Sequence, residues 1–149
     1  MITIKSTQRK IKINISQFKA DAQKILVELE YPDFDLGIWI TTNKTIRYYN
    51  KTYRHKDKPT DILSFSYHNE IKPGQRIVAQ TEEDKNLGDL IISAEYVVRQ
   101  LQDTDISLDE RMRVLLVHGI CHLIGYDHET DKQYEQMQKL ETALLKKLG

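Results

Sequence analysis

Apolar and polar residues alternate along residues 2–5 (ITIK) and again along 11–15 (IKINI), with polar STQRK between them. The pattern predicts two short strands joined by a loop. From Ser16, a residue type that caps helices, the period lengthens. Phe18, Ala22, Ile25, Leu26 and Leu29 recur at helical spacing and predict a helix to about Glu30, closed by Pro32. LGIWIT at 36–41 is β-branched and aromatic and reads as a strand. Thr42 or Asn43 then caps a helix to about Thr52, with Ile46 and Tyr49 turned inward. ILSFSY at 62–67 and LGDLIIS at 87–93 read as two further strands. The connection between them holds Pro73, Gly74 and the acidic run Glu82, Glu83, Asp84, and reads as a long hairpin excursion or a flap beside a cleft. Ser93 heads a helix over AEYVVRQLQD. Ser107 with Glu110 three residues on forms a capping-box pattern before the apolar helix RMRVLLVHGICHLIG. A last helix, Asp131 to Leu148, aligns Tyr134, Met137, Leu140, Leu144 and Leu148 on one inward stripe. Short strands mixed with packed helices predict an α+β fold: a small mixed β-sheet with about five helices, in one domain over residues 1–149.

Charge narrows the choice of partner. The 22 basic and 22 acidic side chains cancel, which excludes a global positive field, so nucleic-acid binding needs a local patch. One such patch exists: between 44 and 58 lie Lys44, Arg47, Lys51, Arg54, Lys56 and Lys58 against Asp57 alone. The single cysteine, Cys121, excludes an internal disulfide and suits a reducing compartment. No segment has the apolar core of a signal peptide or the length of a membrane span, and the expected location is cytoplasmic.

The chemistry concentrates in VLLVHGICHLIGYDHE, residues 114–129. His118 and His122 are four apart and share one helical face. Gly125 is placed to end the helix through a left-handed residue, and the returning chain brings His128 towards the other two. Three neutral imidazoles form a site for one Zn²⁺ per chain, or for another divalent transition metal, with a fourth position left for water. Asp127 and Glu129 flank His128 as candidate hydrogen-bonding partners of a ligand ring. Cys121, on a different azimuth of the same helix, reads as core. The spacing is that of the zinc-protease signature HExxHxxGxxH, except that Gly119 stands where the general-base glutamate would be. The metal cage is kept and the proteolytic base is missing.

A cleft that lacks this base but lies near cations suits phosphorus better than a peptide carbonyl. A guanidinium pairs with non-bridging phosphate oxygens through parallel hydrogen bonds. Arg54 is the candidate catalytic clamp, Lys56 and Lys58 steer the backbone, and Ser64 is a candidate donor to phosphate. His68 is a weaker candidate for general base.

These stretches resemble the YbeY-like family of bacterial endoribonucleases, or rRNA maturation factors. The likeness lies in HGICHLIGYDHE (118–129), YRHKDKPTDILSFSY (53–67) and LGDLIIS (87–93), with Met137 and Glu141 also matching. One departure is Ser66, where the family pattern has proline after SF; it alters a strand end and leaves the metal chemistry in place. The resemblance implies a metal-dependent endoribonuclease specific for single strands. Its expected substrate is precursor ribosomal RNA, notably the 3′ end of the small-subunit RNA, with a role in ribosome quality control. Expected partners are therefore this RNA and the small subunit or its assembly factors. The implied zinc ligands are His118, His122 and His128, and Arg54 is the implied basic residue of the cleft. Two rival readings keep the histidines: a metallopeptidase-like hydrolase, which needs another base, and a non-enzymatic ribosome-assembly factor with a structural metal.

Overall fold

The computed structural model describes residues 1–149. Four strands form one mixed sheet in the order β1-β2-β4-β3. Strand β1 (Ile2–Ser6) runs parallel to β2 (Asp35–Thr41), which runs parallel to β4 (Asn86–Ser93). The edge strand β3 (Ile62–Ser66) is antiparallel to β4, so the chain between them is the long excursion of a hairpin. Five helices complete the α+β fold: α1 (Ile15–Glu28), α2 (Asn43–Arg54), α3 (Ala94–Gln100), α4 (Leu108–Leu123) and α5 (Asp131–Leu148).

Strand alternation divides the side chains between two faces. Leu36, Ile38 and Ile40 of β2 and Leu90 and Ile92 of β4 point into the main core against α1, α4 and α5. On the other face α2 packs over the β3–β4 end only, where Ile46, Leu63 and Ile91 form a separate small cluster. The α4 helix is buried through most of its length, as its apolar run predicts. No helix is long and apolar enough to cross a membrane.

Several local expectations are corrected. Residues 11–15 form no strand. Ile11, Ile13 and Ile15 pack against the core, but the backbone of Ile11 is tied in both directions by the Gln8 side chain. The helix begins at Ile15, capped by Asn14 rather than Ser16, because the Asn14 side chain accepts from the Gln17 N–H. Thr42, not Asn43, caps α2, which extends to Arg54. Ser107 caps α4 by accepting from the Glu110 N–H, and the reciprocal capping box occurs instead at Thr130 and Gln133 of α5. Tyr134 departs from the inward stripe of α5 and is 54% exposed. Met137, Leu144 and Leu148 are buried. Asp21, a carboxylate on the apolar face of α1, is buried in a two-pronged pair with Arg113 of α4, at 3.1 and 3.3 Å.

Candidate metal centre

Helix α4 ends where the metal motif needs it to. Gly125 adopts φ +100°, its N–H donates to the His122 carbonyl, and the Tyr126 N–H donates to the Cys121 carbonyl. This is a Schellman ending, and it satisfies the last carbonyls while reversing the chain. Gly125 is also packed against the backbone of Ile71 and Lys72, so the position excludes a side chain on two grounds. The reversal brings the third imidazole in. Ligand nitrogens of His118, His122 and His128 all lie within 4.8 Å of one another.

The orientation of the rings fits a metal. His118 Nδ1 lies 3.0 Å from Glu141 Oε2, and His122 Nδ1 lies 2.9 Å from the Tyr126 carbonyl. With an acceptor at each Nδ1, the proton belongs there and the Nε2 lone pair is left free. These two Nε2 atoms face each other at 3.1 Å. Two lone pairs this close and without a proton between them repel unless a cation sits against both. Burial lowers the pKa of His122, and the neighbouring His118 and His128 lower it further, which favours the neutral ring that a metal requires. The three imidazoles therefore fit a divalent transition metal; the nitrogens alone do not select which one.

Asp127 and Glu129 do not orient the rings. Asp127 Oδ1 accepts from the backbone N–H of His128, and the Glu129 N–H donates to Gln133. Glu141 takes that part instead, from the inward face of α5 one turn beyond Met137. A carboxylate inside an apolar helical stripe was the signal for it in the sequence. Cys121 is fully buried and its thiol is pushed up to about 12, chiefly by burial and then by Glu141, so it stands in the core and not in the ligand set.

The imidazoles open onto a polar cleft of about 770 Å³. The same cleft is lined by Arg54 at the end of α2, by Lys56 just beyond it, and by Ser64 and Ser66 of β3. Pleating places Ile62, Ser64 and Ser66 on the cleft side of β3, with Leu63 and Phe65 on the other. The Ser66 hydroxyl donates to the His122 carbonyl at 3.4 Å, a tie that proline could not make. Lys58 is not in the cleft wall; its carbonyl accepts from the buried Asn50 amide, which anchors the turn beyond Arg54. His68 lines the cleft, with Nε2 already 2.7 Å from the Asp84 carbonyl. Asp61 also lines it, a residue the sequence did not single out. Its carboxylate accepts from Arg111 at 3.1 Å, from Gln100 at 3.2 Å and from the Ile62 N–H at 2.7 Å.

Gly119 acquires a second meaning here. It is buried against the sheet, and a Cβ built on it would come within 2.8 Å of both Ile62 Cδ1 and Leu90 Cδ2. At the position that holds the protease glutamate, a side chain in this chain must displace the Ile62 and Leu90 side chains.

Comparison with known proteins identifies the family. The family model described as endoribonuclease YbeY matches residues 3–149. The human protein of that name is 34% identical over 148 residues, covering 99% of this chain and 88% of its own length. The Aquifex aeolicus protein of that name is 39% identical over 142 residues, covering 95% and 88%. A solution structure from Thermotoga maritima shares the fold with a TM-score of 0.64 at 22% identity, covering 99% of this chain and 89% of that one. On the match across almost its whole length, the chain belongs to the endoribonuclease YbeY family.

Proposed function

We propose that the protein is a zinc-dependent endoribonuclease that cuts single-stranded RNA, with precursor ribosomal RNA as substrate. In this reading it is a cytoplasmic enzyme that matures the 3′ end of the small-subunit RNA and contributes to ribosome quality control, in association with the small subunit or its assembly factors. The observation that carries the proposal is the single cleft lined by three clustered imidazoles together with Arg54 and Lys56.

His118, His122 and His128 would hold the metal, which when bound supplies Lewis acidity towards a phosphate oxygen and towards water or a leaving oxygen. The chain's own groups do the positioning. Arg54 receives the scissile phosphate in its guanidinium fork, and Lys56 holds an adjacent phosphate as a point charge. Ser64 of β3 donates its hydroxyl to a phosphate oxygen. Glu141 and the Tyr126 carbonyl hold protons at the two Nδ1 atoms and so keep the opposite ring nitrogens unprotonated. The attacking group is water or the neighbouring 2′-hydroxyl, and the end groups of the fragments separate the two. The family membership and the absence of a base at Gly119 both count against a peptidase.

The test compares turnover of single-stranded RNA, duplex RNA and peptide by the zinc-loaded protein, with Arg54→Ala alongside. Cleavage of single strands alone is expected. Loss of one phosphate-stabilising cation should lower kcat about 10²–10³-fold while bound metal stays unchanged. Peptide turnover, or full RNA cleavage by Arg54→Ala with its metal retained, refutes the assignment.

A further inference from the structure

The other face of the sheet carries a groove that the chemistry above leaves unused. Strand register sets its floor in two rows. Thr3, Gly37, Asp89 and Phe65 lie side by side across β1, β2, β4 and β3, and Lys5, Trp39 and Ile91 form the next row. Helix α2 covers only one end of this face, and its Tyr49 and Tyr53 make the wall. The space is about 510 Å³, within the range of small-molecule sites.

Its aromatic rings are arranged before any ligand arrives. Trp39 meets Tyr49 edge-on at 5.5 Å, Tyr49 stacks with Tyr53 at 6.0 Å, and Tyr53 meets Phe65 edge-on at 5.3 Å. The indole Nε1–H of Trp39 donates to Thr7 at 2.8 Å, which fixes that ring. Amid these rings stands Asp89. Gly37 provides the space beside its carboxylate, since a Cβ at 37 would collide with Asp89 Oδ1. The Asp89 side chain is exposed and takes no hydrogen bond or ion pair from the chain, and its partial burial against the sheet raises its pKa. Flat apolar walls around an unanswered acceptor suit a planar ligand with N–H groups on its edge.

The surroundings narrow the class. Tyr53 lines the groove and Arg54, the next residue, lines the metal cleft; Phe65 lines the groove while Ser64 and Ser66 line the cleft. Groove and cleft thus lie back to back across the end of α2 and the edge strand β3. Along α2, exposed Lys44, Arg47, Lys51 and Arg54 recur at helical spacing; Arg47 is paired with Asp57 at 2.8 Å, and the other three form a cationic stripe that leads a phosphate backbone to the cleft.

Building on the endoribonuclease reading, we infer that the groove is a nucleobase subsite for the RNA strand, in which a base near the scissile phosphate stacks on Tyr53, with Trp39 edge-on to it, and Asp89 selects guanine. Single-strand recognition commonly uses aromatic stacking with hydrogen bonds to the Watson–Crick edge. Guanine presents two adjacent donors there, N1–H and the N2 amine, which match the two oxygens of one carboxylate. Adenine and cytosine place an acceptor beside their amine, and uracil flanks its N–H with two carbonyls. A lysine-rich peptide would also answer Asp89, and its ammonium would sit over a ring as Lys5 does over Trp39, but the cations along α2 would repel it.

Trp39 is the only tryptophan, so its fluorescence reports on this groove. The zinc-loaded chain is mixed in stopped flow with short single-stranded oligouridylates that carry one guanosine or one inosine, and quenching is read before cleavage. Inosine lacks only the N2 amine. The guanosine strand is expected to quench Trp39 with a Kd about tenfold lower, the scale of a good side-chain–base pairing. Asp89→Asn should erase the difference, and Tyr53→Ala should weaken binding of both strands. The inference is overturned if RNA binds by anisotropy without quenching Trp39, or if guanosine and inosine are equivalent. It is also overturned if an oligolysine peptide displaces the RNA and quenches more tightly. Failure of the endoribonuclease reading has a different signature: no strand is cut, whatever Trp39 reports.

Discussion

Replacing Gly119 by alanine sets two effects of known sign against each other. In a helix interior alanine is favoured over glycine by about 0.8–1.0 kcal/mol. Against this, the new methyl must push Ile62 Cδ1 and Leu90 Cδ2 from 2.8 Å out to ordinary contact at 3.4 Å or beyond, a retreat of at least about 0.6 Å. Leu90 is fully buried between α4 and the sheet and has little room to move. Overpacking of this kind costs about 1–3 kcal/mol. The net expectation is a loss of up to about 2 kcal/mol, or a Tm lowered by up to roughly 4–8 °C at about 2–4 °C per kcal/mol for a chain of this size. Thermal unfolding by circular dichroism, with chelator and with zinc, measures it. The zinc titration carries a second expectation, because displacement of α4 from β3 moves His118 and weakens metal binding. A Gly119→Ala protein that is more stable by about 3 °C and binds zinc unchanged would show that helix propensity dominates and that the close approach of α4 to the sheet is not limiting. Gly119→Glu should fail to fold stably, since it adds a long side chain and an unpaired carboxylate at the same contact. Restoring the protease residue would therefore not restore a protease.

Other expectations follow from individual contacts. Glu141→Gln should weaken metal affinity by about 10–100-fold, with Glu141→Asp closer to wild type, as measured by competition with a chromophoric chelator; unchanged affinity would remove Glu141 from the site. The Cys121 thiol, raised to about 12 by burial, should not react with a thiol reagent at pH 8 in the native protein and should react at once in denaturant. Asp89→Asn should raise the Tm at pH 7. Partial burial lifts the folded-state pKa of Asp89, so its charged form costs a little stability at neutral pH, a small effect at an exposed side chain, and the folded state takes up the proton more readily. The advantage of the variant should shrink as pH falls through the folded pKa, and an advantage that grows in acid would contradict the assigned cause.

What the sequence determined by itself was mostly local. The helix of the metal motif, its end at Gly125 and the return to His128 were all legible, because a four-residue spacing and a left-handed glycine act over a few residues. The missing base at Gly119 and the cationic end of the second helix were legible as residue types. The error at residues 11–15 shows the limit of the same reasoning. Alternating isoleucines mark a segment that packs on a core, but a strand also needs a neighbour with free backbone groups, and here a glutamine side chain takes that place.

Tertiary structure decided everything that depends on contacts between distant segments. Glu141 reaches His118 from 23 residues away, and Arg113 finds Asp21 from 92 residues away. Register across four strands aligned Asp89 with Gly37 and Phe65 to form the groove floor. The same pleat sent Ser64 to the cleft and Phe65 to the groove. Gly119 joins the two levels: its lack of a carboxylate is a property of the sequence, while the crowding that any side chain would meet there is set by how closely α4 lies against the sheet.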